Sequence, residues 1–319
     1  MSNHEVKTAK AFAPAAISSF FEIHDTEGNK PIVDLEKVGA RGGGFGLHKG
    51  VFTQVTVEEA KSPDITVIIN GKRAPEAKTT KMVLEKLLRN LQKSYVVNVN
   101  HKIEVPIGTG FGTSAGGALT AGLALKEALD LPFTYNQIGK IAHVAEIECQ
   151  TGLGTVSSLT SIGGCVLVVE PGAPGICRID RIPMTSDYMV VAGMCKSNRF
   201  NKTILSNREK KLAINRYGKQ TLAAILAKPS LENFLECCWN FSEKAGFATD
   251  NTRELVRLAK KAGAVGAAQN MIGEAVHALV LKENVKDVEE AFKQVLRSGK
   301  VIVSKIDFQG ARLVENEKI

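Results

Sequence analysis

The apolar positions change period along the chain. Over Tyr95–Val105, Val97, Val99, His101, Ile103 and Val105 alternate with polar neighbours, and a period of two predicts a half-buried strand. The glycine-rich run Pro106–Gly117 comes next, followed by the helix-like Ala118–Leu129, so this unit reads as strand, loop, helix. The chain ahead of it is β-rich. Ala9–Ile23 begins as a strand and passes into a small-residue segment, Gly39–Gly46 reads as a loop before the alternating strand Val51–Val57, and Asp64–Asn70 ends on the turn Asn70-Gly71. Helical periodicity begins at Thr79–Leu91. Thr134 and Gln137 have the spacing of a capping box that opens a helix to about Cys149, and strands are predicted over Cys165–Glu170 and Tyr188–Met194. The C-terminal part reads as helices over Asn215–Leu226, Ser230–Ala245 and Thr252–Ala262, a glycine and alanine segment Ala262–Gly273, and a last strand Val301–Ile306. We place a domain boundary near Thr185, dividing the chain into 1–184 and 185–319, with the cleft between the halves as the expected site.

At 319 residues the chain is long enough for a full core. Hydrophobic content of 44%, 23% charged residues and a mean hydropathy of -0.02 describe an ordinary globular chain. Met1–Lys10 has no apolar core for secretion, and no stretch approaches the roughly 18 apolar residues of a membrane span, so a cytoplasmic protein is expected. None of the six cysteines forms a CxxC pair or stands at zinc-finger spacing, which predicts reduced thiols. The net charge of +8 allows an anionic partner, yet the basic residues are spread out and aromatics make up only 6%. That distribution favours a small anion over nucleic acid.

The loop Pro106-Ile-Gly-Thr-Gly-Phe-Gly-Thr-Ser-Ala-Gly-Gly117 sits where a strand hands over to a helix, and backbone N–H groups at a helix N-terminus bind phosphate oxygens. No Gly-Lys-Ser/Thr follows, so it is not a Walker loop, and no acidic residue ends a second strand as a dinucleotide fingerprint requires. Pro106, Gly108, Gly110, Phe111, Gly112, Thr113, Ser114, Ala115 and Gly116 are the candidate nucleotide cradle. Of the hydroxyls of Thr113 and Ser114, one reaches Mg²⁺ or a phosphate and the other caps the helix. Gly139, His143 and Glu146 share a face of the next helix, Glu146 as an oxygen ligand for Mg²⁺ and His143 as a hydrogen-bonding group for a substrate carboxylate or hydroxyl. Ser18, Ser19, Arg41 and Lys49 are balanced between substrate contacts and ordinary turn or surface roles.

Pro106-x-x-x-Gly110-Phe-Gly112-Thr-Ser114-Ala115 resembles the central motif of the GHMP kinases, and the chain from about residue 10 to 280 looks closest to their archaeal pantoate kinase family. The likeness is carried by Pro14–Phe21, Gly39–Gly46, Ala142–Glu148, Thr151–Gly154, Pro171–Gly175 and Gln269–Ala275. It implies an α+β, two-domain GHMP kinase fold: a ribosomal protein S5 domain 2-like N-terminal domain and a ferredoxin-like, helical C-terminal domain. It further implies ATP and Mg²⁺, a homodimer, and transfer of the γ-phosphoryl group to the primary hydroxyl of (R)-pantoate for coenzyme A synthesis. Ser114 and Glu146 then take the metal and phosphate roles, His143 the substrate role, and Ala262–Gly273 closes over the nucleotide.

Three positions depart from the family pattern. Thr155 stands where an aspartate base is usual, Leu167 near an expected arginine and Ala40 near an expected serine. Thr155 is the candidate to orient the acceptor hydroxyl, since phosphoryl transfer depends mainly on positioning and charge neutralisation. The alternatives are another hydroxy-acid kinase of this class, such as mevalonate 3-phosphate 5-kinase, and a non-catalytic nucleic-acid-binding or regulatory protein on the same scaffold.

Overall fold

The computed structural model describes residues 6–28, 30–161, 163–195, 207–296 and 299–315. Its N-terminal half is built on two long antiparallel strands, β1 (Lys7–His24) and β4 (Gly39–Ala60), with a small β2 (Thr26–Glu27) and β3 (Lys30–Pro31) hairpin between them. β5 (Asp64–Ile69), β6 (Lys72–Arg73) and β7 (Ser94–Ile103) extend the sheet beyond β4, with β5 parallel to β7. On it lie α1 (Lys78–Leu88), α2 (Thr113–Leu129), α3 (Tyr135–Glu148) and the short α4 (Thr155–Leu159). β8 (Cys165–Glu170) pairs with the glycine-rich start of β4, and β9 (Arg178–Ile182) pairs with β8.

The chain then enters a second sheet. β10 (Tyr188–Met194) leads through α5 (Arg208–Ala227), α6 (Leu231–Lys244) and α7 (Asp250–Lys261) to β11 (Gly266–Gln269), β12 (Ala275–Leu281), α8 (Val285–Val295) and β13 (Lys300–Lys305), in the sheet order β11-β12-β10-β13. The last strand, β14 (Arg312–Val314), returns to the first sheet and pairs with β1. This return has no counterpart in the sequence reading, because three residues carry no period. The halves share a core: Phe45 meets Phe234 at 5.4 Å between ring centroids, and Phe20 meets Phe234 and Phe241 at 6.2 and 6.3 Å.

Small residues set the distance between helix and sheet. Ala9, Ala11 and Ala13 of β1 are buried against α2, whose own residues are buried on nearly every side. A Cβ on Gly116 would stand 3.1 Å from Val51 and 3.6 Å from Ala13. Leucine-sized residues here would push α2, and the loop it carries, away from the sheet.

Gly39–Gly46 is strand throughout, not the loop that its composition predicts. The glycines are there for space: a Cβ on Gly44 would fall 1.6 Å from the Ile17 carbonyl oxygen, and one on Gly42 2.5 Å from that of Phe20. The helix after the glycine loop also starts earlier than its apolar pattern suggests, at Thr113 instead of Ala118, because Thr113–Gly117 are small or polar yet already helical. Asn70 (φ 49°) and Gly71 (φ 80°) form the expected turn. Gly71 has open space around its missing Cβ. Replacing it with alanine is expected to cost roughly 1 kcal/mol through backbone strain alone, whereas Gly44→Ala is expected to cost about 3 kcal/mol or more by overpacking. Denaturant unfolding of both variants checks this; equal losses would contradict the close strand contact.

Candidate active site

The glycine loop is fixed at both flanks. On one side the Ala16 N–H of β1 donates to the Phe111 carbonyl at 3.0 Å, and the Phe111 ring is buried in the shared core. On the other, the turn between β11 and β12 abuts it: a Cβ on Gly110 would lie 3.0 Å from Asn270 Cβ and 3.1 Å from the Met271 carbonyl oxygen, and one on Gly273 3.4 Å from Thr109. Gly108, Gly110 and Gly112 all take left-handed φ values (79°, 82° and 61°), which other residues adopt at a cost. Thr109 closes the turn through its hydroxyl, 3.0 Å from the Pro106 carbonyl. Beside the loop's entry, Asn70, Ile103–Ile107 and 300–302 line a cleft of about 550 Å³ that spans the two sheets.

Gly112 is the N-cap of α2, and no side chain caps the helix, so neither Thr113 nor Ser114 takes the capping role assigned to one of them. The first turn carries no acidic residue. Its N–H groups are thus left for an anion, at the positive end of the helix dipole. The half-buried Ser114 hydroxyl is 3.4 Å from that of Thr79, which lies 3.0 Å from Thr151 Oγ1, and Thr151 N–H donates to the Glu146 carbonyl at 2.9 Å. A line of hydroxyls therefore links the start of α2 to the end of α3.

Glu146 is 2% exposed. One of its carboxylate oxygens, Oε2, is buried with no hydrogen-bond partner among the described residues. A Cβ on Gly152 would stand 2.8 Å from both carboxylate oxygens, so the Thr151–Gly154 run needs glycine to pass over the carboxylate. Burial pushes the Glu146 carboxyl up to about 8, against a smaller opposing effect from a hydrogen bond with the Val156 backbone. The same face of α3 carries Gly139, packed against Pro174 and Thr160, and His143. This face is interior, not solvated.

His143 is 1% exposed. Its Nε2 donates to the Val38 carbonyl at 2.8 Å, and Nδ1 lies 3.5 Å from Ser157 Oγ. Burial lowers its pKa, with an opposing effect from the Val38 bond. Ser19 is fully buried, 2.9 Å from His277 Nε2. Both residues are thus engaged within the protein. Ser18 is half-buried and its carbonyl accepts from the Met271 N–H at 2.7 Å, which ties β1 to the turn over the loop. Arg41 Nη2 is 2.5 Å from Glu22 Oε1, while Glu22 Oε2 is another buried oxygen without a partner among the described residues. Lys49 is exposed.

Thr155 opens α4 with its methyl against the glycine loop, 2.7 Å from where a Cβ on Gly112 would be, and Gly154 lies against Ala40. Of the positions that depart from the family pattern, Thr155 thus lies against the loop at Gly112, and Ala40 lies against its neighbour Gly154. Leu167 is buried and pairs with Gly43 across β8 and β4. Sequence reasoning missed Asn270 and His277. Asn270 is fully buried with its Oδ1 2.8 Å from His277 Nδ1; the signal for Asn270 was its place in the Ala262–Gly273 segment and the Gln269–Ala275 motif, and His277 lies outside both.

The fit to a magnesium nucleotide is tested by the donor set. No group of three or more His, Cys, Asp and Glu that could hold a metal occurs among the described residues. A magnesium ion that keeps its waters and phosphate oxygens needs only one or two protein oxygens, and the orphaned Glu146 oxygen and the Ser114 hydroxyl are of that kind. The glycine cradle and uncapped helix fit the phosphates. The residues present fit the group.

This arrangement is that of an ATP-dependent kinase of the GHMP class, and the family profile of the GHMP kinases N terminal domain matches residues 78–160. The chain is 31% identical over 288 residues to a pantoate kinase of Thermococcus kodakarensis, covering 88% of this chain and 90% of that protein. It is 29% identical over 286 residues to a pantoate kinase of Methanocaldococcus jannaschii, covering 88% and 96%. A solved structure described as a phosphotransferase related to the CoA biosynthesis pathway superposes with a TM-score of 0.84 at 28% identity, covering 96% of this chain and 98% of that one. The chain belongs to the pantoate kinase family. Its α+β, two-sheet architecture is the one that the sequence implies, and no described helix is long and apolar enough to cross a membrane.

Because the folded Glu146 carboxyl titrates near 8 and an unfolded one near 4.5, the native state holds a proton that the unfolded state releases between those values. Its contribution to stability is full below pH 4.5 and declines as pH rises towards 8. Glu146→Gln removes this decline. We expect the ligand-free variant to have a higher Tm than the parent at pH 8 and the two to converge by pH 5; a variant less stable than the parent at pH 8 would contradict the buried, protonated carboxyl.

Proposed function

We propose that the protein transfers the γ-phosphoryl group of ATP to the primary hydroxyl of (R)-pantoate, giving (R)-4-phosphopantoate for coenzyme A synthesis. One observation carries the chemistry: the buried carboxylate oxygen of Glu146 without a hydrogen-bond partner among the described residues, on a residue whose backbone carbonyl is joined through Thr151, Thr79 and Ser114 to the start of an uncapped helix behind a glycine loop. Bound Mg²⁺ supplies charge neutralisation between the phosphates. The residues of the chain do the rest. The N–H groups between Gly108 and Ala115, ahead of the first intrahelical bond from Gly116 to Gly112, would hold the phosphates, and Ser114 and the ionised Glu146 would hold the metal. Thr155 orients the acceptor hydroxyl at the loop's edge.

Pantoate carries a carboxylate, and Arg41 is the cation assigned to it. Its guanidinium keeps donors beyond the one directed at Glu22, and the Glu22 pairing holds it in one orientation. Ser18 is assigned to the substrate as well. His143 and Ser19, engaged inside the fold, act by positioning: His143 fixes the chain at Val38 and Ser157, beside the Gly154–Ala40 contact. The division at 184/185 assigns the glycine loop to an N-terminal domain and the turn over it to a C-terminal one. The protein so read is cytoplasmic and homodimeric.

A coupled ADP-release assay with Mg²⁺ and ATP tests the acceptor. Turnover with pantoate, and little with mevalonate or mevalonate 3-phosphate, is expected; turnover with one of those acids and none with pantoate would overturn the assignment. Ser114→Ala and Glu146→Gln are each expected to lower kcat by about 100-fold or more with the circular dichroism spectrum retained, and near-normal rates in both would remove the metal site. Arg41→Ala is expected to raise KM for the acid more than it lowers kcat, since a substrate carboxylate is bound equally in ground and transition states.

A further inference from the structure

Asn270 stands in the turn between β11 and β12, fully buried, with its backbone N–H donating to the Ala275 carbonyl at 2.8 Å and its Cβ against Gly110 of the glycine loop. Its side chain ends a buried relay. Oδ1 is 2.8 Å from His277 Nδ1, and His277 Nε2 is 2.9 Å from Ser19 Oγ. Since Oδ1 only accepts, Nδ1 carries the proton, Nε2 accepts, and the Ser19 hydroxyl donates. Ser19 reaches His277 because it is the extra residue at a register shift in β1: Ser18 pairs with Gly44 and Phe20 with Gly43, which leaves Ser19 without a strand partner. The ring of Phe45 packs edge-on to His277 at 5.8 Å, and burial lowers the His277 pKa to about 3, so the imidazole stays neutral in this tautomer.

The imidazole holds the amide by its oxygen. With Oδ1 held by His277, the amide nitrogen must point elsewhere, and Nδ2 is buried with no hydrogen-bond partner among the described residues. A buried NH₂ group with nothing to donate to is unfavourable, and here it sits on the residue that touches the left-handed Gly110. Two residues from two distant strands, His277 and Ser19, hold in place a donor that has no partner among the described residues.

We propose that the Asn270 side-chain NH₂ is a phosphate-contacting donor by which the C-terminal half recognises a polyphosphate in the glycine loop, and that His277 and Ser19 are positioning residues that set its orientation. The inference rests on the reading of Gly108–Gly116 as a nucleotide cradle. Asn270 acts on the phosphates and not on the base, so its loss weakens triphosphate binding selectively and leaves nucleoside binding unchanged. His277→Leu frees the amide to rotate and gives the same selective loss in weaker form.

The test is calorimetric binding of a non-hydrolysable ATP analogue with Mg²⁺, and separately of adenosine, to the full-length protein. Asn270→Ala is expected to weaken the triphosphate analogue about tenfold and Asn270→Asp, which adds a negative charge beside the phosphates, about 100-fold, with adenosine affinity unchanged in both. Equal weakening of both ligands, as a purely structural role would give, or no weakening of either, overturns the proposal while parent binding of the analogue keeps the cradle. Failure of the parent protein to bind the analogue overturns both. If the variants do not fold, the side-chain NH₂ resonances of Asn270 in the ¹⁵N-labelled parent decide: a shift on adding the analogue and none with adenosine is expected, and no shift with either is contrary.

Discussion

Everything at this site depends on how tightly the glycine loop is held before a ligand arrives. The Ala16–Phe111 hydrogen bond ties it to the central strand, the buried Phe111 ring anchors it in the core shared by both sheets, and Asn270 and Met271 close against Gly110 from the C-terminal half. Preformed N–H groups bind an anion without first losing the conformational entropy of a free loop. The alanine face of β1 and the glycines of α2 serve the same end, because only small residues let the helix carrying those N–H groups lie so close to the sheet.

Glu146 adds an electrostatic constraint of the opposite kind. Its burial under Gly152 favours the neutral acid, whereas the proposed role as a metal ligand needs the charged form. A divalent cation reverses that preference, since ligands must lose protons to coordinate it. On the proposed reading, binding of the metal nucleotide and loss of the Glu146 proton are therefore linked. Thr155 lies against Gly112 of the loop, and its neighbour Gly154 against Ala40. With no carboxylate at either position, the assignment leaves transfer to positioning and charge neutralisation, as a loose transition state permits.

The sequence was most informative where a local pattern and a tertiary demand coincide. Tyr188–Met194 and Cys165–Glu170 are strands with the bounds that their apolar runs indicate, and Thr134 and Gln137 form the capping box that their spacing predicts. Glycine was the ambiguous letter. At Pro106–Gly112 it marks backbone conformation, with φ above zero at three positions, and a loop is what the sequence implies. At Gly39–Gly46 it marks close approach inside a strand, which depends on carbonyls of β1 some twenty-five residues earlier and has no local signature. The surroundings of the polar face of α3 were likewise not legible, since a histidine and a glutamate one turn apart carry no local sign that Val38, Ser157 and Gly152 are brought over them. Ser19, His277 and Asn270 span most of the chain; the β11–β12 pairing brings Asn270 to His277, and the register shift in β1 brings Ser19 to them.

The claim that a buried, protonated Glu146 becomes the ligand of a metal nucleotide is tested most directly by proton release. Calorimetric titration of the magnesium complex of a non-hydrolysable ATP analogue at pH 7, repeated in buffers of different ionisation enthalpy, counts the protons that leave on binding. Release of about one proton per site by the parent, and none by Glu146→Gln, is the predicted result. Tight binding by the parent with no proton released would contradict the account.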